Sequence, residues 1–178
     1  MNLAVLFKRK EKQIVQWMAN HSILLLRISI GIIFFWFGVL KFFPQTSSAE
    51  DLAARTLDKI TFQQIPNNIS IIILAAWECF IGIGMIIGRA RRITLVLLFL
   101  QMIGTILPVF FFPNETFVYI PFVPSMEGQY ILKNLIIIAA AIVLGATIRG
   151  GAIIANSPIA LKAKKEEKEK LEKLKISN

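Results

Sequence analysis

The residue best placed to do chemistry in this chain is Glu78, because it stands where a charge is costly. It falls in Ala75-Ala76-Trp77-Glu78-Cys79, near the middle of the apolar stretch Ile69–Gly88. A carboxylate in such surroundings takes up a proton or finds a cation or several hydrogen-bond donors. It then serves as glue between helices, or it lines a proton or substrate path. The partners on offer are Lys41, Lys133 and Gln101, each in or beside another apolar stretch, or water in a cavity. Lys41 and Lys133 start near the outer surface, so a bridge from either to Glu78 is expected to need a water. Lys41, Glu127, Gln129, Lys133 and Asn134 also gather at one depth and are expected to bond to one another. The candidate site is therefore Glu78, Gln101, Lys41, Glu127, Lys133 and Asn134.

Other chemistry is excluded by counting. Cys79 is the only cysteine and His21 the only histidine. The chain thus makes no internal disulfide and no thiolate-rich metal site, and by itself supplies neither a bis-histidine haem nor a His-rich metal centre. It carries no flavin or dinucleotide fingerprint and no complete catalytic constellation. Cys79 reads as inert packing. Arg27, about a turn inside the first apolar stretch, reads as snorkelling to the surface. Phe34, Phe35, Trp36 and Phe37 read as packing or lipid contact, with a quinone-stacking site as the sharper alternative.

The elements that must position these residues are greasy ones. Of 178 residues, 56% are hydrophobic and 17% charged, outside the range of soluble domains. Four stretches are long enough to cross a bilayer as helices: Ser22–Phe43, Ile69–Gly88, Ile93–Phe112 and Tyr130–Ile148. The first is longer than a signal-peptide core and is retained. Fifteen Lys and Arg residues flank one side, in 8–12, 89–92 and 149–175, against Arg55 and Lys59 on the other. Both termini are therefore expected in the cytoplasm. The net charge of +9 is a topology signal, and nucleic acid is not a partner. The reading is an all-α, integral membrane antiparallel four-helix bundle with a basic N-terminal segment (1–21), a membrane domain (22–148) and a charged tail (149–178).

The connections differ in character. The link Gly88–Arg92 only turns one helix into the next. The first outer loop, Pro44–Asn68, suits a short helix with Ser47 or Ser48 as cap. In the second, Pro113, Pro121 and Pro124 break an aromatic run, so it rests in the interface or forms a lid over a lipid-soluble ligand. Gly84 to Gly88 reads as a small-xxx-small packing face, and Pro108 as a kink. The tail Leu161–Lys175 reads as a solvated helix near anionic headgroups, or a docking helix, with Glu166–Lys170 and Glu169–Lys173 in the favourable order.

Leu26-Arg27-Ile28-Ser29-Ile30-Gly31, continuing to Gly38-Val39-Leu40-Lys41-Phe42, resembles the first helix of the DoxX-like membrane proteins. Glu78-Cys79-Phe80-Ile81-Gly82, with Gly88 before arginines, is similar to that family's second helix. Glu127-Gly128-Gln129-Tyr130-Ile131-Leu132-Lys133-Asn134-Leu135 resembles the start of its fourth, so the likeness covers about residues 25–144. It implies a four-helix membrane bundle linked to respiratory or sulfur redox chemistry, some members being small subunits of a thiosulfate:quinone oxidoreductase. The reading is an accessory or quinone-contacting subunit of a redox complex in the bacterial inner membrane, with a membrane or cytoplasmic protein partner or in an oligomer. No cofactor is bound covalently; quinone is the one this reading allows, and any electrons are carried by it or by the partner. The rivals are a small proton-linked transporter or channel working through Glu78, and a non-catalytic assembly or structural factor.

Overall fold

A computed structural model describes residues 3–43 and 50–148, together with Lys162, Lys165 and Glu169. Its order is α1 (Leu3–Leu40), α2 (Glu50–Ile60), α3 (Asn67–Ile87), α4 (Arg91–Ile106), α5 (Pro108–Phe111), α6 (Pro113–Thr116), β1 (Phe117–Tyr119), β2 (Val123–Pro124) and α7 (Met126–Thr147). Among the described residues, four stretches have the length and composition to cross a membrane: Lys10–Leu40, Asn67–Ile87, Arg91–Phe111 and Met126–Thr147. The chain divides into two compact units, Met1–Gly145 and Ala146–Asn178. Of the tail only Lys162, Lys165 and Glu169 are described, each helical. The expected tail helix lies largely outside the described residues, with its two Glu–Lys pairs, and so do the expected caps Ser47 and Ser48.

Apolar side chains cover the outside as well as the core. Ile32, Trp36, Ile72, Phe80, Val96, Ile103, Leu135 and Ile136 are all exposed, a surface that belongs in hydrocarbon. The core is Ile30, Ala75, Ile81, Met85, Leu95, Leu98, Met102, Ala141 and Leu144. Its most extensive seam joins α1 to α3. A Cβ on Gly82 would stand 2.5 Å from Phe35 N, and one on Gly38 2.8 Å from Cys79 N. Glycine is needed there because the other helix fills the space.

That seam fixes an antiparallel register: Gly31 faces Ile86, Phe35 faces Gly82 and Gly38 faces Cys79. Carried on, it sets Leu40, where α1 ends, beside Trp77. The first ten residues of α3 therefore run about 15 Å past the end of α1 at 1.5 Å per residue. The short helix α2 packs on α3. At the other end, which carries the arginines of the α3–α4 turn and is called the basic end below, α1 continues from Arg27 back to Leu3.

Two expectations are corrected here. Gly84 and Gly88 do not share a packing face: Gly84 meets Thr94 of α4, while Gly88 (φ +72) meets Arg27 of α1. Arg27 does not simply snorkel, since its Nη1 is buried. Near the loop end, Pro108 interrupts the helix where the kink is expected, with Leu107 between the two pieces still helical (φ −55, ψ −34). Lacking an N–H, it ends α4 and opens α5 at its first position.

Candidate functional site

The early end of α1 leaves room among α1, α2, α3, α4 and α7, and that room is a cavity of about 380 Å³. Its walls are mostly apolar, including Phe34, Phe37, Leu74, Met102 and Ile137. Lys41, Glu78 and Gln101 join them as polar lining. Lys41 Nζ donates to Glu78 Oε2 at 2.5 Å, and Gln101 Nε2 donates to Glu78 Oε1 at 3.0 Å. Both members of the ion pair are 10% exposed. Three helices thus meet at one carboxylate, each oxygen of which accepts a bond. A charge so buried is tolerable because it is paired and bonded.

No water is needed for the bridge. The register sets Lys41 opposite Ala76, about half a turn from Glu78, so the lysine begins near the carboxylate's own depth. Placing Lys41 near the outer surface was the error, since the chain leaves α1 well before α3 begins.

Among the other expected site residues, Glu127 and Asn134 line the same cavity. Glu127 is exposed and accepts from Ser125 Oγ at 3.0 Å, and Ser125 in turn accepts from Gly128 N at 3.1 Å. Ser125 is thus the cap of α7, and Glu127 steadies it. Lys133 is not drawn in. It is exposed, its Nζ lies 4.9 Å from the Tyr130 ring centre, and it does not line the cavity. The expected bonding of Lys41, Glu127, Lys133 and Asn134 to one another is corrected: Lys41 bonds to Glu78 and Glu127 to Ser125. Because adjacent residues of α7 point about 100° apart, Lys133 is turned off the cavity face that Asn134 lines. Trp77 points to α4, donating to Leu97 O at 3.3 Å, and Cys79 lies against α1.

The cover of the cavity is α2, which sequence reasoning missed in this role. Leu52 and Thr56 are buried and line the cavity with Ala53, Leu57 and Ile60. The opposite edge of α2 is fastened to the α5–α6 segment. Arg55 donates to Glu115 through its two terminal nitrogens, Nη1 and Nη2, at 2.7 and 2.5 Å, and pairs with Asp51 at 2.8 Å. Lys59 donates to Phe111 O at 3.2 Å and lies 4.2 Å from the Phe112 ring centre. The hydrogen bonds and charge of Arg55 hold the Glu115 carboxyl below its ordinary value, and Glu115 raises the Arg55 guanidinium in turn. A signal was present: Asp51, Arg55 and Lys59 recur every fourth residue, with Leu52 and Thr56 one step on. Of the two readings of the second outer loop, interface segment or lid, the hairpin β1–β2 does not form the lid. Val118, Tyr119, Ile120 and Phe122 are exposed and do not line the cavity.

No curated protein matches the chain, and neither does any solved structure. A family model does match, that of DoxX, over residues 22–112. The match takes in α1 beyond its basic extension through α5, and with it Lys41, Glu78, Gln101 and α2. The motif Glu127–Leu135 falls outside it. By a match over more than half its length, with four helices suited to a bilayer, this chain belongs to the DoxX family of membrane proteins.

Proposed function

We propose that the protein is an accessory subunit of a redox complex in the bacterial inner membrane, and that its cavity receives the head of a quinone. The observation that carries this is the apolar cavity with a Lys41–Glu78–Gln101 cluster on its wall. An ammonium has three donors and a primary amide two. Each spends one on Glu78 among the described contacts, which leaves donors suited to a carbonyl oxygen. Apolar walls with a few fixed polar groups are what a lipid-soluble ring with polar edges requires. Any electron transfer belongs to the quinone and a partner; this chain binds, orients and keeps water away.

The positive-inside asymmetry supports an orientation with the basic end and both termini in the cytoplasm. Quinone would then bind in the outer half of the bilayer, under α2. Close packing of Ile81, Met85, Leu95 and Leu98 towards the basic end favours a blind binding site over a channel.

The test is purification in mild detergent, followed by solvent extraction and quinone quantification. Stoichiometric quinone, together with a co-purifying redox protein, is the expected result. Gly104→Leu should keep the fold and lose the quinone, because Gly104 lines the cavity and has open space beside it. A well-folded preparation of a lone oligomer without quinone would overturn the reading.

A further inference from the structure

At the basic end two guanidinium groups close on a single residue. Gly88 caps α3 in the left-handed conformation, its N–H bonded to Gly84 O. The space a side chain would take at this position is filled by Arg27 Nη1. From the turn, Arg91 Nε donates to Gly88 O at 2.9 Å. Arg89 and Arg92 flank the pair and are exposed. Four arginines from two parts of the chain thus meet at one corner between α1 and the α3–α4 turn.

Nothing described balances that charge. The ion pairs among the described residues are Lys41–Glu78, Arg55–Asp51 and Arg55–Glu115, and none lies here. The chain has no Asp or Glu between Glu11 and Glu50, or between Glu78 and Glu115, so the elements forming the corner have none nearby to offer. Arg27 Nη1 is moreover buried with no hydrogen-bond partner. The C-terminal dipole of α3 attracts a cation but provides Nη1 with no bond. Clustered like charges are unfavourable until an anion arrives, and the burial of Nη1 against Gly88 keeps the Arg27 guanidinium at the corner with the others.

We propose that this corner binds the phosphate of an anionic lipid, with its head group across the arginines and its acyl chains along the bundle. Arginine suits phosphate because its planar fork meets two oxygens at once. A lipid fits better than a free ion because exposed apolar residues adjoin the cluster: Leu24 on α1, Ile87 before the turn and Ile93 after it. Basic pockets between helix ends are a recurrent way of holding such head groups. The site lies at the opposite end of α3 from α2 and does not depend on the quinone reading.

Native mass spectrometry of the full chain, exchanged into mixed micelles of phosphatidylglycerol and phosphatidylcholine, tests this. The expected result is one retained phosphatidylglycerol, favoured about tenfold or more over phosphatidylcholine. Arg27→Gln and Arg91→Gln should each remove most of that preference. Arg89→Gln with Arg92→Gln, at exposed positions that leave the fold intact, should weaken it too. Arg55→Gln, at the other end, should leave it unchanged, and so should millimolar sodium phosphate. Equal retention in all the arginine variants would overturn the site. A matching fall in Arg55→Gln, or displacement by inorganic phosphate, would overturn its assignment to a lipid.

Discussion

Towards the basic end, Gly31 and Gly82 bring α1 against α3 so closely that neither position has room for a Cβ. Towards the loop end the same two helices part, because α1 stops at Leu40 while α3 runs on. The first region is closed by shape: Gly31 on α1 stands against Ile86 and Met85, and Gly82 on α3 against the backbone of Phe35. The second is closed by polar ties. Lys41, Glu78 and Gln101 join three helices, and Arg55, Lys59 and Glu115 hold α2 down. Packing leaves no space for a ligand, whereas polar ties bridge a gap and keep it open. The fourth spanning helix shows the same division. Its Ala141 and Leu144 are buried, while its loop half lines the cavity. Only 11% of its apolar stretch is buried, against 39% for α3.

If this contrast is right, the largest loss should come from the closed seam. Gly82→Leu would drive a side chain into the backbone of Phe35, with Cα only 2.7 Å from the first added carbon. Two packed helices cannot yield to that, so no monodisperse protein should be recovered by size exclusion. Gly104 provides the matched control in the open region, where a Cβ meets nothing within 4 Å. Gly104→Ala should fold and melt within about 1 kcal/mol of the parent, since only helix propensity changes. A monodisperse Gly82→Leu protein with parental melting would break the comparison.

The next effect should come from the buried pair. Glu78→Ala strands the Lys41 ammonium and should cost about 3–5 kcal/mol, the usual penalty for breaking a buried ion pair from one side. Lys41→Met added to Glu78→Ala should restore a large part of it, because no orphaned charge then remains. Thermal melting of the single and double variants in one detergent measures both. Simple additivity of the two losses would mean that the bond between them contributes nothing to the fold.

Much of the closed region was legible in the sequence and much of the open one was not. The four spans were readable because length and apolarity decide them one residue at a time. Glu78 and Gln101 stood out because polar residues are conspicuous among Ile, Leu and Val. Lys41 was recognised as a partner but set at the wrong depth. Its position depends on the register of the α1–α3 seam, which involves two helices, and no single stretch shows it. Lys133 was grouped with Asn134 by depth in the membrane, and depth does not say which face of a helix a residue is on, since adjacent residues turn about 100° apart. The clasp on α2 was missed for a related reason: Arg55 and Glu115 are ordinary loop charges until the fold brings them together.

The smallest effect should be seen at that clasp, and its sign with pH is fixed. Glu115 has a folded-state pKa below its ordinary value of 4.5, chiefly through hydrogen bonds from Arg55 and then its charge. A carboxyl lowered in this way contributes stability that is fully present above its unfolded pKa. That contribution fades as the pH drops from about 4.5 through the lowered folded value. Arg55 stays charged throughout, since its bonds to Glu115 hold the guanidinium above its ordinary value. The pair is partly exposed, at 38% and 43%, so screening keeps its worth small. Global melting should therefore change little between neutral pH and pH 4. Protection of α2 amides in hydrogen exchange should change more, because α2 is the element the clasp holds. Loosening should appear in α2 first on acidification and on adding salt, with α1 and α3 near Gly82 unaffected. Glu115→Gln should show the loosened state at neutral pH and lose that acid response. If α2 and the Gly82 seam loosen together, the loop end is not a separately fastened cover, and the contrast between the two ends fails.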